Sequence, residues 1–425
     1  MQLSMRGREM TRLSGIRSIM EDIATADAAG PRTTANLSPG NPCHIPEVVA
    51  TWEQLVRETL DEQFCETSTR YGPSRGTPAL VEAVVAYFNA AYGWSIRPEN
   101  VLVGPGSQLL SFIATTLFTG QDEYGDIRRL VLPRTPDYAG YQGLSLDHAG
   151  IVGVEPKVSL EGERFFRYRL DIDAVQRLDG IGMMLLSNPS NPSGSTIDTT
   201  ELTELIAVAK RHDAPLVIDH AYGEPFPRIA PSDIKPVLHS HVINLFTLSK
   251  AGLPAERIAF AIGPAHLIDP MVSFVANSVL HAPQLLQATV ARALAKGDID
   301  TLTAQHITPC YTAKRALAER LLAESLPAAV NWRLHSGERG MFCWLLVDHH
   351  WFDDLEFYGT LKRNGVFIVP GRHFFTPPLT TPFLRAHATR CFRLSLSPNE
   401  DELADGIRRL SAILGGLVPD SSGRG

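Results

Sequence analysis

Lys250 follows an uncharged, mostly apolar run over 242–248 and stands seven residues before Arg257. Upstream, Asp219 and Tyr222 close another apolar run, Pro215-Leu216-Val217-Ile218-Asp219. A lysine just after a buried strand, beside cationic groups, loses affinity for its proton and becomes a usable nucleophile and base. A carboxylate that ends an uncharged run can cap a helix or face solvent. It can equally partner a cationic ring nitrogen and keep that ring an electron sink. Tyr222 supplies a phenol within reach of the same strand end.

Other groups with chemical potential lie at similar junctions. Gly106, Ser107 and Gln108 follow the expected strand Val101–Gly104 and open an apolar helix over 109–118. Backbone N–H groups at such a junction, with the helix dipole behind them, favour an anion; a plain strand-to-helix turn is the competing reading. Asn188-Pro189-Ser190-Asn191-Pro192 fixes a stiff turn after the strand expected over 182–187. Tyr138 is suited to stack on a planar ligand or simply to fill core. Arg393, within the run 391–396, has the planar fork for bidentate capture of a carboxylate or for a structural ion pair. An imine-forming amine, an acid, a phenol and a phosphate-gripping guanidinium near buried strand ends are what is needed to hold pyridoxal 5'-phosphate.

These residues need a scaffold that ends many strands at one edge. Between about residues 78 and 265, short apolar strands alternate with helical patterns. Strands are expected at Val101–Gly104, 130–133, 151–155, 182–187, 215–219, 242–248 and 257–263, and helices at Pro78–Tyr92 and 199–212. That alternation predicts an α/β fold with a mainly parallel, seven-stranded sheet covered on both faces. Ligands sit at the carboxyl ends of strands in such sheets. After residue 311 the pattern changes to a long helix, strands over 331–348, 366–369 and 391–396, and a last helix. The expected organisation is an N-terminal arm over 1–50, a large domain over 51–310 and a smaller α+β domain over 311–425.

Bulk properties narrow the classes. The chain has 425 residues, 44% hydrophobic and 20% charged, which suits a globular protein of two domains. A net charge of −7 and the absence of a basic run argue against nucleic-acid binding. No apolar stretch reaches membrane-span length and no signal-peptide pattern opens the chain, so the expected site of action is the cytoplasm. The five scattered cysteines and the pairs His239/His241 and His349/His350 offer no convincing ligand set, so no metal is expected.

In this order, the doubled Asn-Pro turn, Asp-x-x-Tyr and Ser-Lys…Arg resemble fold-type I pyridoxal-phosphate enzymes, the class I/II aminotransferases. The segments 12–22, 40–47 and 369–375 are most similar to the valine–pyruvate aminotransferase type. The resemblance implies that Lys250 is the Schiff-base lysine and proton shuttle, and that Asp219 pairs with the ring nitrogen. It implies that Tyr222 and Asn191 bind the ring oxygen while Tyr138 stacks. It assigns phosphate binding to the Gly106 loop, with Ser107 and Gln108, and to Thr247 and Arg257. It gives the substrate carboxylate to Arg393 and the backbone near Gly40. Tyr71 would reach the phosphate of a neighbouring subunit, which implies a homodimer. The implied activity is ping-pong transfer of an amino group from an L-amino acid to a 2-oxo acid. The alternative is a biosynthetic β/γ-elimination, replacement or carbon–carbon bond formation on the same scaffold. A ligand sensor fused to a DNA-binding helix-turn-helix is the non-enzymatic rival, disfavoured by the acidic charge and the intact lysine. Ala255 and Glu256 depart from the small glycines usual around the phosphate arginine, and Arg339 adds a cation near the expected substrate mouth.

Overall fold

A computed structural model describes residues 2–11, 21, 34–146, 150–229, 235–337, 340–376 and 379–419. Of what was singled out in the sequence, residues 12–20 and 22 of the segment 12–22, and Arg339, lie outside them. The main sheet runs, in spatial order, Val101–Gly104, Ala259–Ile262, Val242–Thr247, Leu216–Asp219, Ile181–Ser187 and Ile127–Leu132. Ile151–Gly153 and the short Gly120–Gln121 both pair with Ile127–Leu132. All seven expected strands are there, and Gly120–Gln121 adds an eighth. Most pairs are parallel, but Ala259–Ile262 runs antiparallel to both of its neighbours in the sheet interior.

The strands are buried on both faces, and alternate residues serve different cores. Val217, Ile243 and Leu245 point toward the layer formed by the helices Ser107–Phe118 and Ala265–Ser278. Leu216, Ile218 and Val242 point the other way, toward Thr199–Arg211. That helix starts cleanly because Asp198 and Glu201 form a reciprocal capping box.

Register decides where chemistry collects. Ser187, Asp219 and Leu245 lie opposite one another on adjacent strands, and Thr247, Ala259 and Gly104 align in the same way. The carboxyl ends of four parallel strands therefore reach one edge together. Each is followed by one of the motifs singled out in the sequence.

A second sheet orders Val369–Pro370, Cys391–Ser395, Phe342–Val347, Trp332–His335, Phe165–Arg169 and Lys157–Glu161. The hairpin formed by its last two strands comes from within 51–310, so this sheet draws on both sides of residue 310. Ala35–Asn36 pairs in parallel with Val366–Phe367, and Ser395 donates its N–H to the Leu37 carbonyl. The segment leading from residue 34 to Gly40 is thereby laid along the second sheet and delivered to the edge of the first. Among the described residues no helix is long and apolar enough to cross a membrane, and no cluster of side chains could hold a metal ion.

Candidate active site

A cavity of about 660 Å³ opens between the strand ends of the main sheet, the segment 36–41 and the second sheet. Of the expected residues, Gly40, Ser107, Gln108, Tyr138, Asn191, Asp219, Tyr222, Thr247, Lys250, Arg257 and Arg393 line it. Gly106 stands just behind the lining and Tyr71 lies elsewhere.

Lys250 sits on the turn after Val242–Thr247, and its Nζ donates to the Gly40 carbonyl at 2.5 Å. Burial, with Arg393 and Arg257 adding positive charge, pulls its amine down to about 8, while Asp219 opposes the shift. Asp219 is 6% exposed and its carboxyl is pushed up to about 6 by burial. It accepts from the Tyr141 hydroxyl at 3.0 Å and from the Ala221 N–H at 3.1 Å. A buried carboxylate with so little compensation favours a cationic partner.

The helix Ser107–Phe118, whose first two residues line the cavity, begins with no side-chain cap, leaving its first N–H groups without an intrahelical partner. Gly106 has φ +94, and a Cβ there would collide with the Arg257 guanidinium. Arg257 itself has φ 51 and donates to Ser249 Oγ at 3.3 Å and to the Pro254 carbonyl at 3.0 Å. Thr247 and Ser249 share a hydroxyl contact of 2.9 Å beside it. An uncapped helix start, a guanidinium and two hydroxyls make an anion cradle. Gln108 donates to the Gly140 carbonyl at 3.2 Å.

Arg393, also in the lining, is buried on Cys391–Ser395, and desolvation lowers its guanidinium to about 10. Its Nη1 donates to Asn191 Oδ1 at 3.0 Å and its Nη2 to the Ser38 carbonyl at 2.6 Å, and Nε has no protein partner. Phe342 and Phe374 flank it at 4.0 and 5.1 Å. Asn191 in turn donates to the Tyr222 hydroxyl at 3.0 Å. The ring of Tyr138 stands edge-on to Tyr141 at 5.2 Å, and a side chain at Gly140 would collide with it. Tyr71 is 87% exposed, its ring 6.0 Å from that of His281, and it is not among the residues that line this chain's cavity.

Sequence reasoning missed Tyr141, Ser249, Asn36 and Ser38. Tyr141 stands three residues after Tyr138 and Ser249 immediately before Lys250, but an aromatic there reads as core and a serine carries no signal of its own. Asn36 and Ser38 reach the cavity only through the pairing of Ala35–Asn36 with Val366–Phe367, which local patterning does not reveal.

The donor set fits pyridoxal phosphate: a phosphate cradle, a buried acid that needs a cation, an amine of lowered basicity, and a guanidinium with an unpartnered Nε. The family model for aminotransferases of class I and II matches residues 32–410. The chain belongs to this family. As a class I and II aminotransferase it is a pyridoxal-phosphate-dependent transferase of amino groups. It is 30% identical to the valine–pyruvate aminotransferase of Escherichia coli, over 97% of each chain. The solved valine–pyruvate aminotransferase of Salmonella typhimurium superposes with a TM-score of 0.84 at 27% identity, covering 95% of this chain and 99% of that one. An alpha-aminoadipate aminotransferase of Thermus thermophilus, complexed with N-(5'-phosphopyridoxyl)-L-leucine, shares the fold at 22% identity. Its TM-score is 0.76, over 98% of this chain and 97% of that one.

Proposed function

We propose that this aminotransferase uses Lys250 as its cofactor-linking and proton-moving residue, and moves amino groups between small neutral amino acids and 2-oxo acids. The observation that carries the reading is one cavity lined by a lysine of lowered basicity, a buried carboxylate and two guanidiniums, Arg257 and Arg393. When bound, pyridoxal phosphate supplies an aldehyde carbon for an amine and a cationic ring that draws electrons from the substrate's Cα. Asp219 stays ionised opposite that cation and holds the ring-nitrogen proton. Tyr222, steadied by Asn191, donates to the ring oxygen, and Tyr138 covers one face. Ser107, Gln108, Thr247 and Arg257, with the Gly106 turn, hold the phosphate. Arg393 and the backbone at Gly40 hold the α-carboxylate. The Lys250 amine, its basicity lowered to about 8, takes the Cα proton and returns one, a general acid–base contribution of about 10²–10⁴-fold.

The 30% identical valine–pyruvate relative supports a valine- or alanine-type donor. Among the described cavity residues, Lys250, Arg257 and Arg393 are the cations, and each already has a role, which leaves none for an acidic side chain. A homodimer with Tyr71 reaching the partner's phosphate is part of the reading. Phe64, Tyr71, Val279 and Leu280 are exposed about two helices that pack on each other, Pro46–Ser68 and Gln284–Lys296. The cytoplasm is the proposed site of action. Incubating the cofactor-loaded protein with single amino acids tests the donor class. L-valine and L-alanine should convert the bound cofactor to pyridoxamine phosphate and release the matching 2-oxo acid. Conversion by aspartate or glutamate alone would contradict the assignment.

A further inference from the structure

Asp137 is 1% exposed and stands immediately before Tyr138, yet it does not line the cavity. Its carboxylate accepts from the Tyr138 N–H at 2.7 Å, from the Ser187 N–H at 3.2 Å and from the Ser187 hydroxyl. The Ser187 oxygen accepts in turn from the Asn191 N–H at 3.1 Å. Asn191 is the residue whose amide donates to Tyr222 and accepts from Arg393. The Asp137 N–H also donates to the Phe374 carbonyl at 3.1 Å, and Phe374 flanks Arg393. One buried carboxylate thus anchors the stacking tyrosine directly. Through Ser187 it anchors the turn that orients the ring-oxygen and carboxylate donors.

A buried acid is costly to keep without a reason. The charged and titratable groups around it are Arg134, Tyr141 and Asp219. Arg134 is fully buried, and its Nε and Nη2 have no protein partner, so it balances the carboxylate without being consumed by an ion pair. Neither group borders the cavity, so their role is not contact with a ligand.

We propose that Asp137 is a positioning residue for amino transfer, setting Asn191 through Ser187 and Tyr138 through its backbone. The proposal rests on the roles given above to Asn191, Tyr138 and Arg393. Two variants of the cofactor-loaded full chain test it. Asp137→Asn keeps one acceptor oxygen but turns an N–H toward that of Ser187, breaking one contact. Ser187→Ala removes the hydroxyl that joins Asp137 to Asn191, at a position that also lines the cavity.

Both should raise KM for the amino donor roughly tenfold, with a smaller change in kcat, because Arg393 loses a fixed partner. Both should also shift upward the pH midpoint of the bound cofactor's visible band, because the donors to its ring oxygen become less well held. Wild-type KM and midpoint in both variants would overturn the proposal. So would a lowered melting temperature with KM and midpoint unchanged, since that is a purely structural role. If Asp137→Asn does not fold, Ser187→Ala decides alone. A wild-type protein that gains no visible band with pyridoxal phosphate would overturn the function reading itself, and this proposal with it.

Discussion

Lys250 and Asp219 carry opposite charges in water, and burial works against both. For Asp219, folding raises the carboxyl from the ordinary range to about 6. In the cofactor-free protein the native state keeps a proton that the unfolded chain releases. The stability this group contributes is present below pH 4 and is lost as pH rises through 6. Asp219→Asn should therefore make the cofactor-free protein more stable than wild type at pH 8 by up to about 3 kcal/mol. At pH 4 denaturant titration should find little difference. Equal or lower stability at pH 8 would show that the buried charge is compensated. Lys250 runs the other way: its amine is depressed to about 8, so capture of pyridoxal phosphate should rise with pH through about 8 and then level off. Stopped-flow absorbance checks this, and a climb continuing to the ordinary lysine range near 10.5 would contradict it. The sequence made both residues legible because each ends an apolar run. Tyr141, which donates to Asp219, was hidden because a buried aromatic next to a glycine looks the same whether it packs or hydrogen-bonds.

At the level of elements, strand ends explain why the site forms where it does. The shared register of Ser187, Asp219 and Leu245 turns three separate motifs into one wall. β-branched runs bounded by Gly, Pro and Asn made those strands readable, and Pro78–Tyr92 was readable from its apolar spacing. The hairpin Lys157–Arg169 was not, because its partner strand Trp332–His335 lies far along the chain and its own residues alternate weakly. The reversed direction of Ala259–Ile262 was equally hidden, since apolar content does not encode direction. Gly106 is the element-scale weak point: it needs φ +94 and leaves room for Arg257. Gly106→Ala should weaken pyridoxal phosphate binding roughly tenfold or more, through strain and displacement of the guanidinium. Fluorescence titration of the cofactor-free variant would report it; wild-type affinity would mean that the guanidinium moves aside without consequence.

For the whole molecule, the segment 34–41 and the second sheet bring Gly40 and Arg393 over the edge of the first sheet. The cavity is therefore built from three stretches distant in sequence. Tyr71 lies outside it and is exposed, which leaves it free to meet the second chain of the proposed dimer. If two chains share sites, Lys250→Ala and Tyr71→Ala proteins should each be impaired alone. Refolded together they should regain turnover, because a mixed dimer contains one site free of both changes. Failure to complement, with dimers demonstrably formed, would mean that Tyr71 serves no partner site. The central claim is that Lys250 carries the cofactor, and borohydride reduction of the loaded protein followed by peptide mass spectrometry tests it directly. The phosphopyridoxyl group should be found on Lys250; a label on another lysine, or none at all, would contradict the account.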